Sequence, residues 1–199
     1  MKSLLLKLYT KYKTSKVKSR LFFGNNCSFS FRSNVILLFG STKANICLGE
    51  NVRMFGTLSS SHGGIIKMSN YSQIGYGSII RSVDNVEVGE MAIISENVVI
   101  SDNNSHPVNP QDRLIVWRTP VGSEERSWKY SDSAPIRIGN NCWIGENSRI
   151  CKGVTIGEGS IVAANSVVTK NVPANCIVAG NPAKIVKTGI DKVDRFLLE

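Results

Sequence analysis

The sequence predicts an all-β protein, a parallel β-helix of about six triangular coils, and three observations lead there. Between residues 138 and 168, aliphatic side chains recur every six residues, at Ile138, Ile144, Ile150, Ile156, Val162 and Val168. An amphipathic helix repeats its apolar positions every three or four residues and a lone strand every two, so a sustained stride of six fits neither. It fits a solenoid of very short strands and tight turns, with one aliphatic residue per strand pointing into a narrow interior. Gly139, Gly145 and Gly157 directly follow three of these residues, and small or polar residues fill most places between. The same stride returns upstream in groups of three, at Phe23/Phe29/Val35, Ile46/Val52/Leu58, Ile74/Ile80/Val86 and Val88/Ile94/Ile100. Three hexads make about one coil of a triangular prism, so six groups predict about six coils. Offsets between groups mark small insertions at corners, for example around residues 59–64.

The elements follow in chain order. Residues 1–20 read as a short basic amphipathic helix, with Leu4, Leu5, Leu8, Tyr9 and Tyr12 able to share a face. Two roles are open for it: a cap that packs those residues on the first coil, or peripheral attachment to an anionic membrane surface. A solenoid needs its end covered, which favours the cap. The coils occupy residues 21–188. Residues 101–135 interrupt them without any six-residue stride, yet contain His106, Pro107, Pro110, Trp117, Pro120 and Trp128. A protruding loop of that length inside a repeat fold is usually functional or disordered, and two Trp residues argue against disorder. A short helix is expected at residues 189–199.

Bulk properties narrow the class. A chain of 199 residues with 42% hydrophobic residues suits one domain able to bury a substantial core. No apolar run approaches the roughly 20 residues that a membrane helix needs. The Leu-rich start is broken by Lys7 and followed by no small-residue cleavage site, so a secretory signal is not expected. Five cysteines without a CxxC pair, and only two histidines, form no zinc pattern, so no metal site is expected. The cysteines read as reduced residues of a cytoplasmic protein. Of the net charge of +9, residues 1–20 carry +7 without a single acid. The remaining chain is nearly balanced, and nucleic-acid binding gains no support from its charge.

The closing segment VTIGEGSIVAANSVVTKNVPANCIVAGNPAKIVK resembles the hexapeptide-repeat acyltransferases, the left-handed parallel β-helix family that uses acetyl-CoA. The resemblance extends over residues 21–188 and is most specific over 135–187. The stretch SDNNSHPV, followed later by APIRIGNNCWIG, is similar to the sugar O-acetyltransferases of that family. Left-handed coils run against the usual right-handed crossover preference, so the handedness comes from the resemblance. The resemblance also implies a homotrimer with sites between subunits.

Acetyl transfer to a hydroxyl needs a base for the alcohol proton, donors for the developing oxyanion and a proton for the departing thiolate. Histidine suits both proton steps near neutral pH, and only His62 and His106 are available. His106 stands where the coil gives way to the long loop, before Pro107, which restricts its backbone; it matches the family's catalytic histidine. Asp102, four residues earlier, is a candidate to orient the imidazole, or else the start of an Asx turn. His62, in SSSHGG, has the composition of a corner turn. Trp143 precedes the inward Ile144 and therefore points outward, where an aromatic suits stacking on a sugar or on the pantetheine arm, or a subunit interface.

By the same resemblance Trp143, Gly145, Ala163, Ala164, Thr169, Lys170 and Lys187 hold the coenzyme, the two lysines meeting its phosphates. Lys187 stands where many relatives have Arg, so a bidentate phosphate contact is lost there. The loop offers Arg113, Trp117 and Trp128, with Trp143 beside them, as acceptor contacts. Cys142 and Cys151 have no sequence-adjacent His to lower a thiol pKa, so direct transfer is expected rather than an acyl-cysteine intermediate.

The expected activity is therefore acetylation of a sugar hydroxyl in a glycan or glycan precursor from acetyl-CoA, without a metal. It is expected in the cytoplasm, at the inner face of the membrane if residues 1–20 attach there. N-acetylation of a nucleotide-linked amino sugar is the alternative on the same scaffold. A zinc-dependent hydratase needs three histidines per site, more than the chain contains.

Overall fold

The computed structural model describes residues 2–195. Three sheets of short parallel strands close a triangular prism, a left-handed parallel β-helix. The first face stacks Phe22–Phe23, Ile46–Leu48, Ile65–Met68, Asn85–Val88, Ile136–Ile138 and Thr155–Ile156. The second stacks Ser28–Phe29, Arg53–Met54, Gln73–Ile74, Ile93–Ile94, Trp143–Ile144, Ile161–Val162 and Cys176–Gly180. The third stacks Asn34–Leu38, Thr57–Ser61, Ile79–Ser82, Val99–Ser101, Arg149–Ile150 and Val167–Val168. Six coils are complete, and Val172, bridged to Ile156 on the first face, begins a partial seventh that continues in Cys176–Gly180.

The stride of six becomes three columns of inward side chains. On the second face Phe29, Met54, Ile74, Ile94, Ile144, Val162 and Val178 lie in register from coil to coil. Ile74, Ile94 and Ile144 are wholly buried, and burying such a side chain contributes roughly 1.5–3 kcal/mol. The glycine after the aliphatic residue has a steric cause. A Cβ at Gly145 would stand 2.6 Å from the Ala164 nitrogen and 2.7 Å from the Val162 oxygen, so a side chain there would push the coils apart. Corner residues such as Asn141 and Asn147 take the left-handed conformation, at φ 51° and 57°, which Asn tolerates better than most residues.

Two of the sequence groupings are out of step. The columns run Leu48/Met54/Leu58 and Met68/Ile74/Ile80, whereas Ile46, Val52 and Val86 sit two residues before a column position. Those three are buried as well, so both inward positions of these strands are apolar, and unbranched Met fills places where branched residues are expected.

The ends and the interruption differ from expectation. A helix α1 spans Lys2–Lys18, but only Val17 of its described side chains is buried, beside Leu21. Arg20 donates to the Val35 carbonyl at 2.9 Å and ties the helix exit to the first coil. Leu5, Leu8, Tyr9 and Tyr12 stay exposed, so the cap is made by the last turn alone; the Leu4 side chain lies outside the described residues. The loop contains a helix α2, Pro110–Arg118, with Asn109 accepting from the Gln111 amide as its N-cap. Ahead of residues 189–199, where a short helix is expected, the strand Ala183–Thr188 folds back antiparallel on Cys176–Gly180. One 3₁₀ turn at Ile190–Lys192 follows, and residues 196–199 lie outside the described residues. Edge pairing satisfies backbone groups of the last open strand, which a detached helix would leave bare.

Candidate active site

A groove of about 740 Å³ runs along the second face, toward its corner with the third. Its floor is the outward column Gln73, Ile93, Trp143, Ile161 and Ile177, in register across five coils. Gly145, Ala163 and Ala164 line its corner side, where small residues keep it open. Trp143 is half-exposed, and its indole Nε1 donates to the Ser95 hydroxyl at 3.1 Å, which fixes the ring across the floor. Phe55 and Tyr76 stack at 5.2 Å between ring centroids and supply further aromatic wall. The volume and apolar lining suit a small-molecule site. Glu96 and Glu146 are the charged residues lining the groove, so cations for a polyanionic ligand must come from beside it.

The sequence-predicted coenzyme residues divide into three places. Trp143, Gly145, Ala163 and Ala164 line the groove. Lys187 is paired with Ile177 through the C-terminal hairpin, next to the end of the floor. Thr169 and Lys170 follow Val168 on the third face and stand exposed at the corner with the first.

His106 belongs to that same corner, because the loop leaves from Val99–Ser101 on the third face and returns into Ile136–Ile138 on the first. Its imidazole is exposed and makes no hydrogen bond among the described residues. The backbone beneath it is held from both sides. Asp102 is wholly buried, and its carboxylate accepts from the Ser82 hydroxyl at 2.7 Å, the Val83 amide at 3.0 Å, the Asp84 amide at 2.9 Å and the Asn103 side chain at 3.1 Å. Asn103 in turn accepts from the Ser105 amide at 2.9 Å, and Ser105 takes the left-handed conformation at φ 66°. On the returning strand the Ala134 amide donates to the Asp102 carbonyl at 2.9 Å, and the Asn104 amide to the Asp132 carbonyl at 3.0 Å. The Asp102 carboxylate therefore bonds the coil below and Asn103 rather than the imidazole.

The loop residues do not converge. Arg113 reaches back from α2 and donates to the carbonyls of Pro107 and Val108, clamping the segment after His106. Trp117 is 75% exposed, with the Arg126 guanidinium over its ring at 5.7 Å. Arg126 also donates to the Thr119 carbonyl at 3.0 Å and so closes the end of α2. Trp128 is half-buried under Arg81, which lies 5.9 Å from its ring on the third face, and docks the loop on the prism. A second cleft, lined by Pro107, Asp112, Ile115, Val116, Glu125 and Tyr130, opens beside His106.

Sequence reasoning missed two features. Ser82 and Asn103 hold the His106 stalk; a serine in a strand and an asparagine in a loop carry no signal of that. His62 proves to be a docking residue. It stacks on Phe39 at 4.8 Å, its Nδ1 lies 2.9 Å from the Ser61 hydroxyl, and its Nε2 lies 3.4 Å from the Ser127 hydroxyl and 3.8 Å from Glu124 of the loop. Burial pushes the His62 pKa below its ordinary value, against the opposing pull of Glu124. Burial also pushes the Cys142 thiol up, and its Sγ donates to the Gly157 carbonyl at 3.1 Å, so it is a poor nucleophile.

Residues 135–170 match the family model of the bacterial transferase hexapeptide (six repeats). The chain is 33% identical over 124 residues to the putative lipopolysaccharide biosynthesis O-acetyl transferase WbbJ of Escherichia coli K12, covering 62% of this chain and 61% of that protein. It is 32% identical over 140 residues to the galactoside O-acetyltransferase of the same strain, covering 70% of this chain and 62% of that protein. The chain thus spans about three fifths of the length of these two relatives. Among solved structures, the fold is similar to the N-acyltransferase AntD of Bacillus cereus, with TM-score 0.66, 22% identity and coverage of 90% and 88%. It is also similar to the polySia-specific acetyltransferase NeuO, with TM-score 0.61, 24% identity and coverage of 84% and 75%.

Proposed function

We propose that this chain, whose residues 135–170 match the bacterial transferase hexapeptide model, transfers an acetyl group from acetyl-CoA to a sugar hydroxyl of a glycan or glycan precursor. The observation that carries the reading is the combination of a coenzyme-sized groove floored by Trp143 with an exposed histidine on a pinned stalk. The groove fits the donor: Ile93, Trp143, Ile161 and Ile177 offer an apolar bed for the pantetheine arm, and Lys187 beside Ile177 offers a phosphate contact. Both relatives that share about a third of their aligned residues with this chain bear O-acetyltransferase names, which favours a hydroxyl acceptor over an amine.

In the proposed reaction a ring nitrogen of His106 takes the proton of the acceptor hydroxyl as its oxygen attacks the thioester carbonyl. A tetrahedral oxyanion forms and collapses, the carbon–sulfur bond breaks, and the imidazolium returns the proton to the departing thiolate. The products are the sugar acetate and free coenzyme A thiol.

The two halves of this machinery lie at different corners of one prism, the groove between second and third faces and His106 with Thr169 and Lys170 between third and first. A second copy placed by a rotation axis parallel to the prism brings one copy's groove against the other's His106 corner. A homotrimer with three shared sites is therefore part of the proposal. The acceptor is expected beside Pro107 and Tyr130, with Trp117 and Arg113 bordering it. Residence is proposed to be cytoplasmic, where acetyl-CoA is available.

The test is thiol release from acetyl-CoA with a panel of glycans, for wild type and His106→Ala. Undiminished turnover by a correctly assembled His106→Ala protein would remove His106 from the mechanism. The likeness to AntD keeps N-acylation as the second reading. A product acetate cleaved by mild alkali is the ester; a stable amide overturns O-transfer.

A further inference from the structure

We propose that α1 and the first coil form a docking face for an anionic lipid bilayer, which holds the prism end-on to a membrane surface. The inference is independent of the acetyl-transfer reading.

At 100° per residue, Leu8, Tyr12, Leu5 and Tyr9 fall within an arc of about 100° on α1. All four are exposed, at 57%, 64%, 60% and 50%. The part-buried Thr10, Lys13 and Thr14 and the buried Val17 lie on a different side of the helix. An apolar stripe with two tyrosines is therefore turned away from the fold that carries it.

Charge completes the pattern. Lys13 flanks the stripe on one side, Lys16 falls within it one turn past Tyr12, and Lys7, Lys11 and Lys18 lie beyond the other side, with no acid anywhere in residues 1–20. The first turn has no acidic residue to meet the helix dipole, and lysines four apart, such as Lys7 and Lys11, repel one another. A 17-residue helix of this composition, packed on the protein mainly through its last turn, gains little from the fold itself. A negatively charged bilayer supplies what is missing: counter-charge for the lysines and an apolar layer for Leu5, Leu8, Tyr9 and Tyr12, whose phenols suit the headgroup level.

The first coil extends the surface. Phe22, Phe23 and Phe31 are exposed there, with Lys43 5.0 Å from the ring of Phe22, Lys18 5.6 Å from Phe23 and Arg32 5.4 Å from Phe31. Exposed phenylalanines each flanked by a cation form an interfacial rather than a solvated surface. Any rotational assembly about the prism axis sets the helices of all copies at the same end, so weak single contacts add as avidity.

The test is co-sedimentation of the full chain with vesicles of phosphatidylglycerol and phosphatidylcholine, against phosphatidylcholine alone, at low and high salt. Binding to the anionic vesicles that falls with salt is expected, with little to the neutral ones. Lys7→Gln/Lys11→Gln should weaken it about 30-fold, since each lysine near an anionic surface is worth about a fivefold change. Leu8→Ser/Tyr12→Ser should weaken it at least about tenfold. Both variants alter exposed side chains only, so thiol release and assembly size should remain those of wild type. Wild-type failure to bind anionic vesicles overturns the proposal, as does equal binding by both variants. Capture by soluble dextran sulfate without vesicle binding overturns it in favour of a polyanion partner.

Discussion

The groove around Trp143 and the stalk beneath His106 hold their side chains by opposite means. Trp143 stands on a coil whose position is set by repetition: identical backbone pairing above and below, and Ile144 locked into a buried column. No special residue is needed, because each coil is positioned by its neighbours. His106 has no such template. Its stalk is fastened by polar contacts that occur once, from Asp102 to residues 82–84 and from Asn103 to Ser105. Apolar periodicity thus builds a rigid wall of many small contributions, whereas a few buried hydrogen bonds aim one imidazole. The first kind of order tolerates single changes in its outward residues; the second depends on individual atoms.

Several measurements can break this contrast. The largest effect expected is from His106→Ala, a loss of about 10²–10⁴ in thiol release with assembly unchanged, because the proton-transfer group disappears while no packing does. Ile144→Ala removes a wholly buried column residue and should cost about 2–5 kcal/mol in chemical denaturation. Trp117→Ala, on the exposed loop surface, should cost about 0.5 kcal/mol or less. Equal losses for these two would contradict the distinction between repeat-held and loop-held order.

Asp102→Asn leaves volume intact but turns an acceptor toward backbone amides into a partial donor, with about 1–3 kcal/mol of local stability at stake. Turnover should fall while the pH–rate profile stays in place, since the Asp102 carboxylate bonds residues 82–84 and Asn103 rather than the imidazole. A profile displaced by a full pH unit would show a direct Asp102–His106 pair instead.

The smallest effect concerns loop docking through His62. Its folded-state pKa lies below the ordinary 6.5, chiefly from burial and against an opposing pull from Glu124 of the loop, so the folded chain favours the neutral ring. The stability this contributes is present above pH 6.5 and is lost as pH falls below that value, where the unfolded chain takes up the proton more readily. The midpoint of chemical denaturation should fall slightly between about pH 7.5 and 5.5, and His62→Gln should remove that part of the dependence.

How far the sequence could be read follows from the same contrast. The prism, its six coils and the outward Trp143 were legible because a stride of six converts directly into register, whereas Gly145, Ala163 and Ala164 were set beside it by the family resemblance. The misplaced groups at Ile46 and Val86 arose where both inward positions of a strand are apolar, so periodicity alone could not say which belongs to the column. Helix α2 was missed because its apolar residues face a cleft and solvent, leaving no stripe to detect. His106 stood out only through its position at the interruption.

By itself the sequence determined the scaffold, since local spacing of aliphatic residues and glycine sets which side chains can enter a narrow prism. Only the tertiary structure decided where the remaining parts go. It turned Asp102 toward the coil, gave His62 a loop to hold, closed the C-terminal edge with a hairpin and left the stripe on α1 facing outward. Those outcomes depend on contacts between residues far apart in the chain, each made once, and a contact made once leaves no period to read.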